Sequence, residues 1–494
     1  MTPDGIVSNR ARPDPGMDVA RERTIKSTVS LCPTCLSKID AEVVVRSGQV
    51  WLNKSCPTHG DFEVLLSSDA TYYYETSAAF SETGGCCSTG SAPGASPVDI
   101  STPWANHSCT VLIEITERCN LSCPTCFAAS SPAHTKMMSM ETFRSRLDRL
   151  IAGGKHAADT IQLSGGEPTI HPHLIDMLDT LFSSGFLSVT INSNGIKLAQ
   201  SEFVERLTEC VRSHPNAELF VYLQFDGFDD QTHQRLRGRG DLLDLKRRAL
   251  DNCIRSGISV HPVMTLTRDV NDHEVGDFIS LAVDNPAIKH VVIQPAMYSG
   301  RYENPRLTDR LTLADTAKLI IEQFGRFEAK DFGPIPCSDP NCHSIAVALR
   351  HEGGLIPVSR YFPRFEDWGE DKTRDLIDHF SASLDGPGGF AAALQWAMSD
   401  DNAASRLADV DDAEIDRLLD AMSVDGSVEQ AGWDRMLTIS IKPFMDALTF
   451  DQQRIDKCCV HVLDDEGNPI SLCQFNAINR TQSVNGEQRV NNAA

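Results

Sequence analysis

The sequence predicts an α/β fold in which helices connect the strands of a parallel sheet. Six short segments rich in Val, Ile and aromatic residues have the character of buried strands: 109–116, 160–167, 189–195, 219–227, 259–267 and 290–297. Amphipathic helical patterns lie between them, most clearly over 140–154, 171–182 and 240–257. Strands that alternate with helices are typical of a parallel sheet, so we expect six β/α units.

The helix predicted over 171–182 illustrates the pattern on which this fold class depends. Its apolar residues recur at i, i+3, i+4, i+7 and i+8, as Leu174, Met177, Leu178, Leu181 and Phe182. That spacing puts all of them on one helical face, which can then pack against a sheet. The helix predicted over 140–154 has the same kind of face, and a glycine near its end is a typical stop signal.

A short loop after the first strand contains three cysteines. Cys119, Cys123 and Cys126 have CxxxCxxC spacing. Three thiolates can hold three irons of a [4Fe–4S] cluster, because cysteine is the usual protein ligand of that cofactor. The fourth iron then keeps an open position that can bind another molecule. A structural zinc site would instead need four protein ligands.

This loop resembles the signature of the radical SAM superfamily, in which an aromatic residue follows CxxxCxxC; here that residue is Phe127. The resemblance implies that the open iron binds the amino and carboxylate groups of S-adenosyl-L-methionine (SAM). Reductive cleavage of SAM would then yield methionine and a 5′-deoxyadenosyl radical. It also implies a partial (β/α)6 TIM-type barrel, in which the chemistry takes place at the C-terminal ends of the strands.

The second strand leads into a segment that resembles the superfamily's GGE motif: Gly165, Gly166, Glu167 and Pro168. That motif binds the amino group of SAM, and two glycines would let the backbone approach the ligand closely. Further polar residues follow the third and fourth strands: Asn192, Ser193, Asn194, Gln224 and Asp226. By resemblance they should meet the ribose and carboxylate of SAM, although some could simply cap turns. Thr265, Thr267 and Gln294 occupy similar places on the last two strands.

The N-terminal part of the chain contains a second group of cysteines. Cys32 and Cys35 form a CxxC pair, and a predicted hairpin with a Ser-Gly turn leads to Cys56. This arrangement is typical of rubredoxin-like or zinc-ribbon sites that hold one iron or zinc ion. The fourth ligand stays open among His59, Cys86 and Cys87, and we include Cys86 among the candidate metal ligands.

The C-terminal part contains five more cysteines in proline-flanked loops and around a Cys-Cys pair. These resemble the ligands of an auxiliary [4Fe–4S] cluster, for which we select Cys337, Cys342, Cys459 and Cys473. Cys458 is the spare member, because one residue of an adjacent pair in an extended segment must point away. Two further cysteines, at 210 and 253, fall within helical patterns and are expected to be buried structural thiols.

From about residue 30 to 478 the chain is similar to one branch of the superfamily, related to archaeal tetraether lipid synthase and the pterin-methylating enzymes of methanogens. Segments that carry this similarity include CPTHGDFE, QLSGGEPT, QPAMYSGR, FMDALTFD and KCCVHV. We therefore expect a disordered tail, a metal-binding domain, a radical SAM core barrel, an auxiliary-cluster region with a helical insert, and a second tail. Their expected ranges are 1–25, 26–90, 105–325, 326–480 with the insert at about 366–435, and 481–494.

Composition limits the functional class. The formal net charge of −23 argues against nucleic-acid binding, which relies on basic patches. Sixteen cysteines without an N-terminal apolar signal segment indicate metal ligation in a reducing compartment, so we expect a cytoplasmic protein. No apolar run approaches the roughly 18 residues of a transmembrane helix.

The resemblance implies an enzyme that abstracts hydrogen from an unactivated carbon. Our first expectation is carbon–carbon bond formation at an sp3 carbon of a lipid-like or other small hydrophobic substrate. The alternative is methylation with a folate-type one-carbon donor. In either reaction a flavodoxin- or ferredoxin-type partner would supply electrons. An iron–sulfur electron carrier or redox sensor is a third possibility, but such a protein needs neither a SAM motif nor an open iron.

Overall fold

The computed structural model describes residues 22–78, 108–152, 160–302, 309–335, 338–351, 354–359 and 435–480. The predictions made for Cys86, Cys87 and Cys337 lie outside these residues. So do nearly all of the predicted helical insert and both predicted tails, apart from the last residues of the first tail.

Fifteen strands are present in the described part of the chain. They are β1 Arg23–Leu31, β2 Lys38–Arg46, β3 Gln49–Cys56, β4 Gly60–Ser67, β5 Thr110–Thr116, β6 Thr160–Gly165, β7 Ser188–Ser193, β8 Glu218–Gln224, β9 Ser259–Leu266, β10 His290–Pro295, β11 Ser344–His351, β12 Gly354–Pro357, β13 Met436–Ile441, β14 Val460–Leu463 and β15 Pro469–Ser471. All six strands predicted for the core appear, as β5 to β10.

The helices of the same described ranges are α1 Ala70–Ala78, α2 Met140–Ala152, α3 Leu174–Ser183, α4 Ser201–Arg212, α5 Asp230–Arg237, α6 Leu243–Arg255, α7 Val275–Val283, α8 Leu313–Phe324, α9 Gln452–Ile455 and α10 Leu472–Gln474. Two 3₁₀ turns lie at Pro168–Ile170 and Ala329–Asp331, and a π-helix, Phe475–Arg480, follows α10. None of these helices is both long and apolar enough to cross a membrane.

The N-terminal domain is a four-stranded antiparallel sheet in the order β1-β2-β3-β4. The predicted hairpin is β2–β3, and its two turn residues, Ser47 and Gly48, have φ values of 53° and 75°. Positive φ at both positions is the requirement of a type I′ turn, whose twist matches that of the strands. The first strand begins at Arg23, slightly before the expected domain boundary at residue 26.

The remaining strands form one sheet of eleven, in the order β12-β11-β13-β10-β9-β8-β7-β6-β5-β14-β15. Its centre is the predicted parallel series from β5 to β10, with each strand beside its sequence neighbour. Two C-terminal strands extend this series: β13 pairs in parallel with β10, and β14 pairs in parallel with β5. The C-terminal region is thus built into both edges of the core sheet, which sequence patterns had not indicated.

The two faces of the sheet differ in character. Side chains that face the helices are fully buried and apolar, as at Ile113, Ile161, Ile191 and Val221. The opposite face also holds apolar residues such as Leu112 and Val292, but it includes polar, partly exposed side chains on four strands: Glu114, Gln162, Asn192 and Gln224. Because TIM-type barrels are usually filled by branched apolar residues, a polar lumen indicates a binding cavity.

Candidate functional site

A cavity at the C-terminal ends of the parallel strands is lined by all three cysteines of the CxxxCxxC loop and by Phe127. Cys119 and Cys123 are buried, and burial raises the pKa of Cys119 to about 12. Thiols in such surroundings become thiolates when a cationic metal group binds them. Three sulfur donors on one cavity wall, and no fourth in the loop, fit a [4Fe–4S] cluster with one open iron.

The cysteine loop is held in place by the segment after β10. The guanidinium of Arg301 donates to the carbonyls of Cys123 and Ala129, at 3.0 and 2.8 Å, and its backbone N–H donates to the carbonyl of Cys126 at 3.0 Å. Gly300 has φ 63°, and a Cβ there would lie 2.4 Å from the Cys126 carbonyl oxygen. This segment belongs to QPAMYSGR, one of the motifs that carry the family resemblance, but the sequence alone did not predict its contacts with the cysteine loop.

The two glycines of the GGE segment pack against the strand end that precedes the cysteine loop. A Cβ on Gly165 would lie 2.2 Å from the carbonyl oxygen of Thr116, and one on Gly166 would lie 2.2 Å from that of Arg118. The backbone N–H of Gly166 also donates to the Thr116 carbonyl at 2.7 Å. The glycines are therefore needed for backbone-to-backbone contact, besides any close approach to a ligand.

Glu167 lines the cavity, but its carboxylate is already engaged by the protein. It accepts hydrogen bonds from the hydroxyls of Thr169 and Ser193, at 2.6 and 2.8 Å, and from the backbone N–H of Asn194 at 2.7 Å. Only Oε2, which accepts the single bond from Asn194, retains room for another donor. Pro168 does not line the cavity and is the first residue of a 3₁₀ turn, where a missing N–H costs nothing.

Asp226 is fully buried and does not line the cavity, although we had expected it to contact the cofactor. Its carboxylate accepts two hydrogen bonds from Arg237, at 2.5 and 2.7 Å, and Arg237 also donates to the hydroxyl of Thr265 at 2.8 Å. Arg237 itself does line the cavity. Asp226 thus acts through Arg237, whose positive charge can offset the anionic thiolates of a cluster.

Polar side chains from four successive strands complete the cavity wall. They are Asn192, Gln224, Thr265 and Gln294, all at the strand ends where the sequence placed them. Thr267 is absent from this wall, and its backbone N–H donates to Asn271 instead. Phe444, from the segment after β13, also lines the cavity, but no local pattern pointed to it.

The N-terminal domain brings together four metal-ligating side chains: Cys32, Cys35, Cys56 and His59, whose ligand atoms all lie within 4.8 Å of one another. The Nδ1 atom of His59 lies 3.4 Å from the sulfur of Cys56 and 3.5 Å from that of Cys32. A hydrogen bond from Ser37 lowers the pKa of Cys35 to about 6, which favours the thiolate that a metal binds. Three sulfurs and one imidazole fit a tetrahedral zinc or iron ion. Of the three candidates for the fourth ligand, His59 is the one that lies within the described residues.

Two of the C-terminal cysteines have buried surroundings with neighbouring charges. Arg454 donates from Nη2 and Nε to the sulfur of Cys342, at 3.2 and 3.3 Å. Burial, followed by the charges of Cys458 and Cys342, raises the pKa of Cys473. Cys459 directly precedes β14, and its carbonyl accepts the backbone N–H of Thr110 in β5. Because the charge of Cys458 acts on Cys473, Cys458 is an alternative to Cys459, the member selected from the sequence.

Comparison with known proteins agrees with this architecture. The family model of the "HMPTM N-terminal zinc ribbon domain" matches residues 24–68, and that of the radical SAM superfamily matches 113–282. The chain is 30% identical to 7,8-dihydro-6-hydroxymethylpterin dimethyltransferase of Methanocaldococcus jannaschii, over 92% of this chain and 94% of that protein. It is 25% identical to GTP 3′,8-cyclase of Alkaliphilus oremlandii, over 51% of this chain and 73% of that protein.

A solved structure of SuiB from Streptococcus suis with its precursor peptide has a TM-score of 0.35 and 17% identity, covering 43% of this chain and 44% of that one. The match to the M. jannaschii protein, which extends over nearly the full length of both chains, assigns the family. The chain belongs to the radical SAM superfamily, and its cofactors are a [4Fe–4S] cluster and SAM.

Proposed function

We propose that this enzyme is a radical SAM methyltransferase whose acceptor is a reduced pterin. The observation that carries the proposal is the 30% identity to a 7,8-dihydro-6-hydroxymethylpterin dimethyltransferase along almost the full length of both chains. That similarity supports methyl transfer, our alternative from the sequence, better than the coupling of lipid-like chains that we had placed first.

The chemistry of the cavity wall also supports a polar acceptor. Amide side chains reach it from three strands, as Asn192, Gln224 and Gln294, together with the guanidinium of Arg237. An alkyl chain would offer the three amide groups no hydrogen-bond partner, at a cost of about 1–3 kcal/mol each. A pterin offers ring nitrogens, an amino group and a carbonyl, so it can satisfy them.

In this reaction the residues of the chain hold, orient and enclose the reactants. A [4Fe–4S] cluster held by Cys119, Cys123 and Cys126 would supply the electron that cleaves SAM, and a flavodoxin- or ferredoxin-type partner would replenish it. Arg301 keeps the loop carbonyls fixed, and the polar strand ends orient SAM and the acceptor within a shared cavity. Each methyl group replaces one hydrogen of the acceptor, and that hydrogen leaves in 5′-deoxyadenosine. If the folate-type donor carries a methylene unit, its attachment and reduction to a methyl group need a further three electrons from the reducing partner and three protons from solvent.

The test is an anaerobic reaction of the reconstituted holoenzyme with dithionite, SAM and 7,8-dihydro-6-hydroxymethylpterin. A carbon-13-labelled methylene-tetrahydrofolate serves as donor, and the product is analysed by mass spectrometry. We expect a pterin product that carries one or two labelled methyl groups, together with 5′-deoxyadenosine.

Parallel reactions separate the other functions. Formation of 5′-deoxyadenosine with no methylated pterin, but with coupled products from alkyl-chain lipids, would support the lipid reaction instead. An enzyme that is reduced but never forms 5′-deoxyadenosine under any condition would point to an electron carrier.

A further inference from the structure

An ion pair lies inside the barrel close to the cluster motif. Glu114 projects from β5 into the lumen, and the guanidinium of Arg480, at the end of the π-helix, donates to its Oε1. The two side chains are only 21% and 10% exposed. A buried ion pair adds little stability compared with apolar residues of the same size, so stability alone does not account for this pair.

The guanidinium of Arg480 is enclosed by two aromatic rings. It lies 5.1 Å from the ring centroid of Phe127 and 5.0 Å from that of Phe475. Its Nε atom donates to the side-chain carbonyl of Asn476 at 2.6 Å. Because Phe127 also lines the cavity of the cysteine loop, the ion pair and the SAM site share a wall.

The carboxylate of Glu114 keeps hydrogen-bonding capacity for a ligand. Its Oε1 accepts from Arg480, and Oε2 has no hydrogen-bond partner among the described residues. Glu114 lies opposite Ser164 on β6, and Ser164 in turn contacts Asn192 of the cavity wall. The other carboxylate on β5 to β10, Glu218, lies at the opposite, N-terminal end of its strand.

We propose that Glu114 and Arg480 bind the amino-pyrimidinone edge of the pterin acceptor, an inference that rests on the proposed function. That edge presents two adjacent N–H donors, from the 2-amino group and from N3, beside the carbonyl at C4. A carboxylate can accept both donors, and a guanidinium can donate to the carbonyl. The aromatic rings around Arg480 provide flat apolar surfaces for a planar heterocycle.

The same two charges could instead meet the amino and carboxylate groups of SAM. The two possibilities predict different binding by a variant that lacks the negative charge of Glu114. If the pair binds the pterin, loss of that charge weakens pterin binding and leaves SAM binding intact. If the pair binds SAM, the reverse holds.

The test compares Glu114→Gln with Glu117→Gln in anaerobically reconstituted holoenzyme. Glu117 is a matched control, because it is a solvent-exposed carboxylate three residues away that pairs with Lys136. Pterin affinity is measured by equilibrium dialysis with 7,8-dihydro-6-hydroxymethylpterin, and SAM binding by its effect on the EPR signal of the reduced cluster. We expect about 10- to 100-fold weaker pterin binding in Glu114→Gln, and wild-type SAM binding in both variants.

A second affinity measurement, with a 2-oxo analogue, shows whether Glu114 accepts a hydrogen bond from the 2-amino group of the pterin. The wild type should bind the pterin about tenfold more tightly than its 2-oxo analogue, and Glu114→Gln should lose this preference. Iron content reports folding, and if Glu114→Gln loses iron its place is taken by Glu114→Asp, which withdraws the carboxylate by one methylene. That variant should then bind pterin more weakly than the wild type while its SAM binding stays unchanged.

If the wild type itself binds no pterin, the proposed function fails. If the wild type binds pterin and Glu114→Gln binds it equally well, only the role of Glu114 is overturned. Loss of SAM binding with unchanged pterin affinity would also overturn that role.

Discussion

Oε2 of Glu167 accepts the backbone N–H of Asn194 at 2.7 Å, and this bond joins the ends of two neighbouring strands. The side chain of Asn194 donates to Asn120 in the cysteine loop at 2.7 Å. The Asn194 carbonyl accepts from the buried ammonium of Lys246 at 2.6 Å. Asn194 therefore connects four elements: the GGE segment, the end of β7, the cysteine loop and α6. A shift in the position of any of these contacts should change the geometry of the cofactor site.

The central prediction concerns the cluster ligands. Replacing Cys119, Cys123 and Cys126 together by alanine should abolish 5′-deoxyadenosine formation, because no protein ligand for the SAM-binding cluster remains. Chromatographic assay of 5′-deoxyadenosine with dithionite and SAM measures the effect. The control is Cys210→Ala, which removes a buried thiol in α4, outside the elements that meet at Asn194, and should keep activity. SAM cleavage by the triple variant would refute the assignment.

Gly166→Ala should disrupt SAM cleavage because the new methyl group collides with the backbone of the cysteine loop. Its Cβ would lie 2.2 Å from the carbonyl oxygen of Arg118, so the start of the cysteine loop must shift. A displacement of about 1 Å can cost roughly 100-fold in rate. Gly333→Ala is the control, because a Cβ there meets nothing within 4 Å. Equal rates of 5′-deoxyadenosine formation in the two variants would contradict this reading.

His59 should be a metal ligand. His59→Ala should lose about one zinc or iron ion per chain, whereas His59→Cys should retain it, because a thiolate can take the fourth tetrahedral position. Metal analysis of the purified full-length variants measures this, with His173→Ala, an exposed histidine that pairs with Asp176, as the control. Full metal content in His59→Ala would reopen the choice of fourth ligand.

Lys54 should fasten the N-terminal domain to the barrel. Its ammonium is buried and donates to the carbonyls of Leu31, Ala447 and Leu448, at 2.7, 2.9 and 2.7 Å. Lys54→Met would leave these carbonyls unpaired and should lower the free energy of unfolding by about 1–3 kcal/mol. Urea unfolding followed by fluorescence measures the change. Lys38→Met, which removes an exposed contact to Gln452, should cost much less.

The effect of Lys54 should also depend on pH. Burial lowers the pKa of Lys54 to about 8, from 10.5. Between these two values the unfolded chain holds a proton that the folded protein releases, so stability conferred by Lys54 rises with pH. Relative to Lys54→Met, the wild type should gain up to about 1.4 kcal/mol per pH unit in that window and lose it as pH falls through 8. A pH-independent difference would show that Lys54 does not titrate there.

The adjacent cysteines of the C-terminal region should differ in their effect on iron content. Cys458→Ala should lose the iron of an auxiliary cluster, about four atoms per chain, because the charge of Cys458 acts on the buried thiol of Cys473. Cys459→Ala should keep it, because one member of an adjacent pair in an extended segment points away from the other. Uncoupled SAM cleavage should survive in both variants. The opposite pattern of iron loss would restore the sequence-based choice of Cys459.

Much of the core was predictable because it depends on local patterns. The six parallel strands follow from short apolar runs separated by amphipathic helices, and the β2–β3 turn follows from Ser47-Gly48, the dipeptide that its backbone requires. The polar residues of the cavity wall lie at strand ends, where the topology of parallel sheets concentrates them.

The fold class, the cysteine loop and the superfamily could be predicted from the sequence, because each depends on residues that lie close together along the chain. Tertiary structure decided which distant residues complete the site. It placed β13 and β14 at the two edges of the barrel, Arg301 on the cysteine loop, and Arg480 against Glu114, 366 positions away in the chain. Asp226, which the sequence predicted to contact the cofactor, instead lies behind Arg237 and binds its guanidinium. Local periodicity specifies which face of an element is buried, but not which buried polar groups meet. Such partners are set by the packing of the whole chain, because every buried donor and acceptor must be satisfied at once.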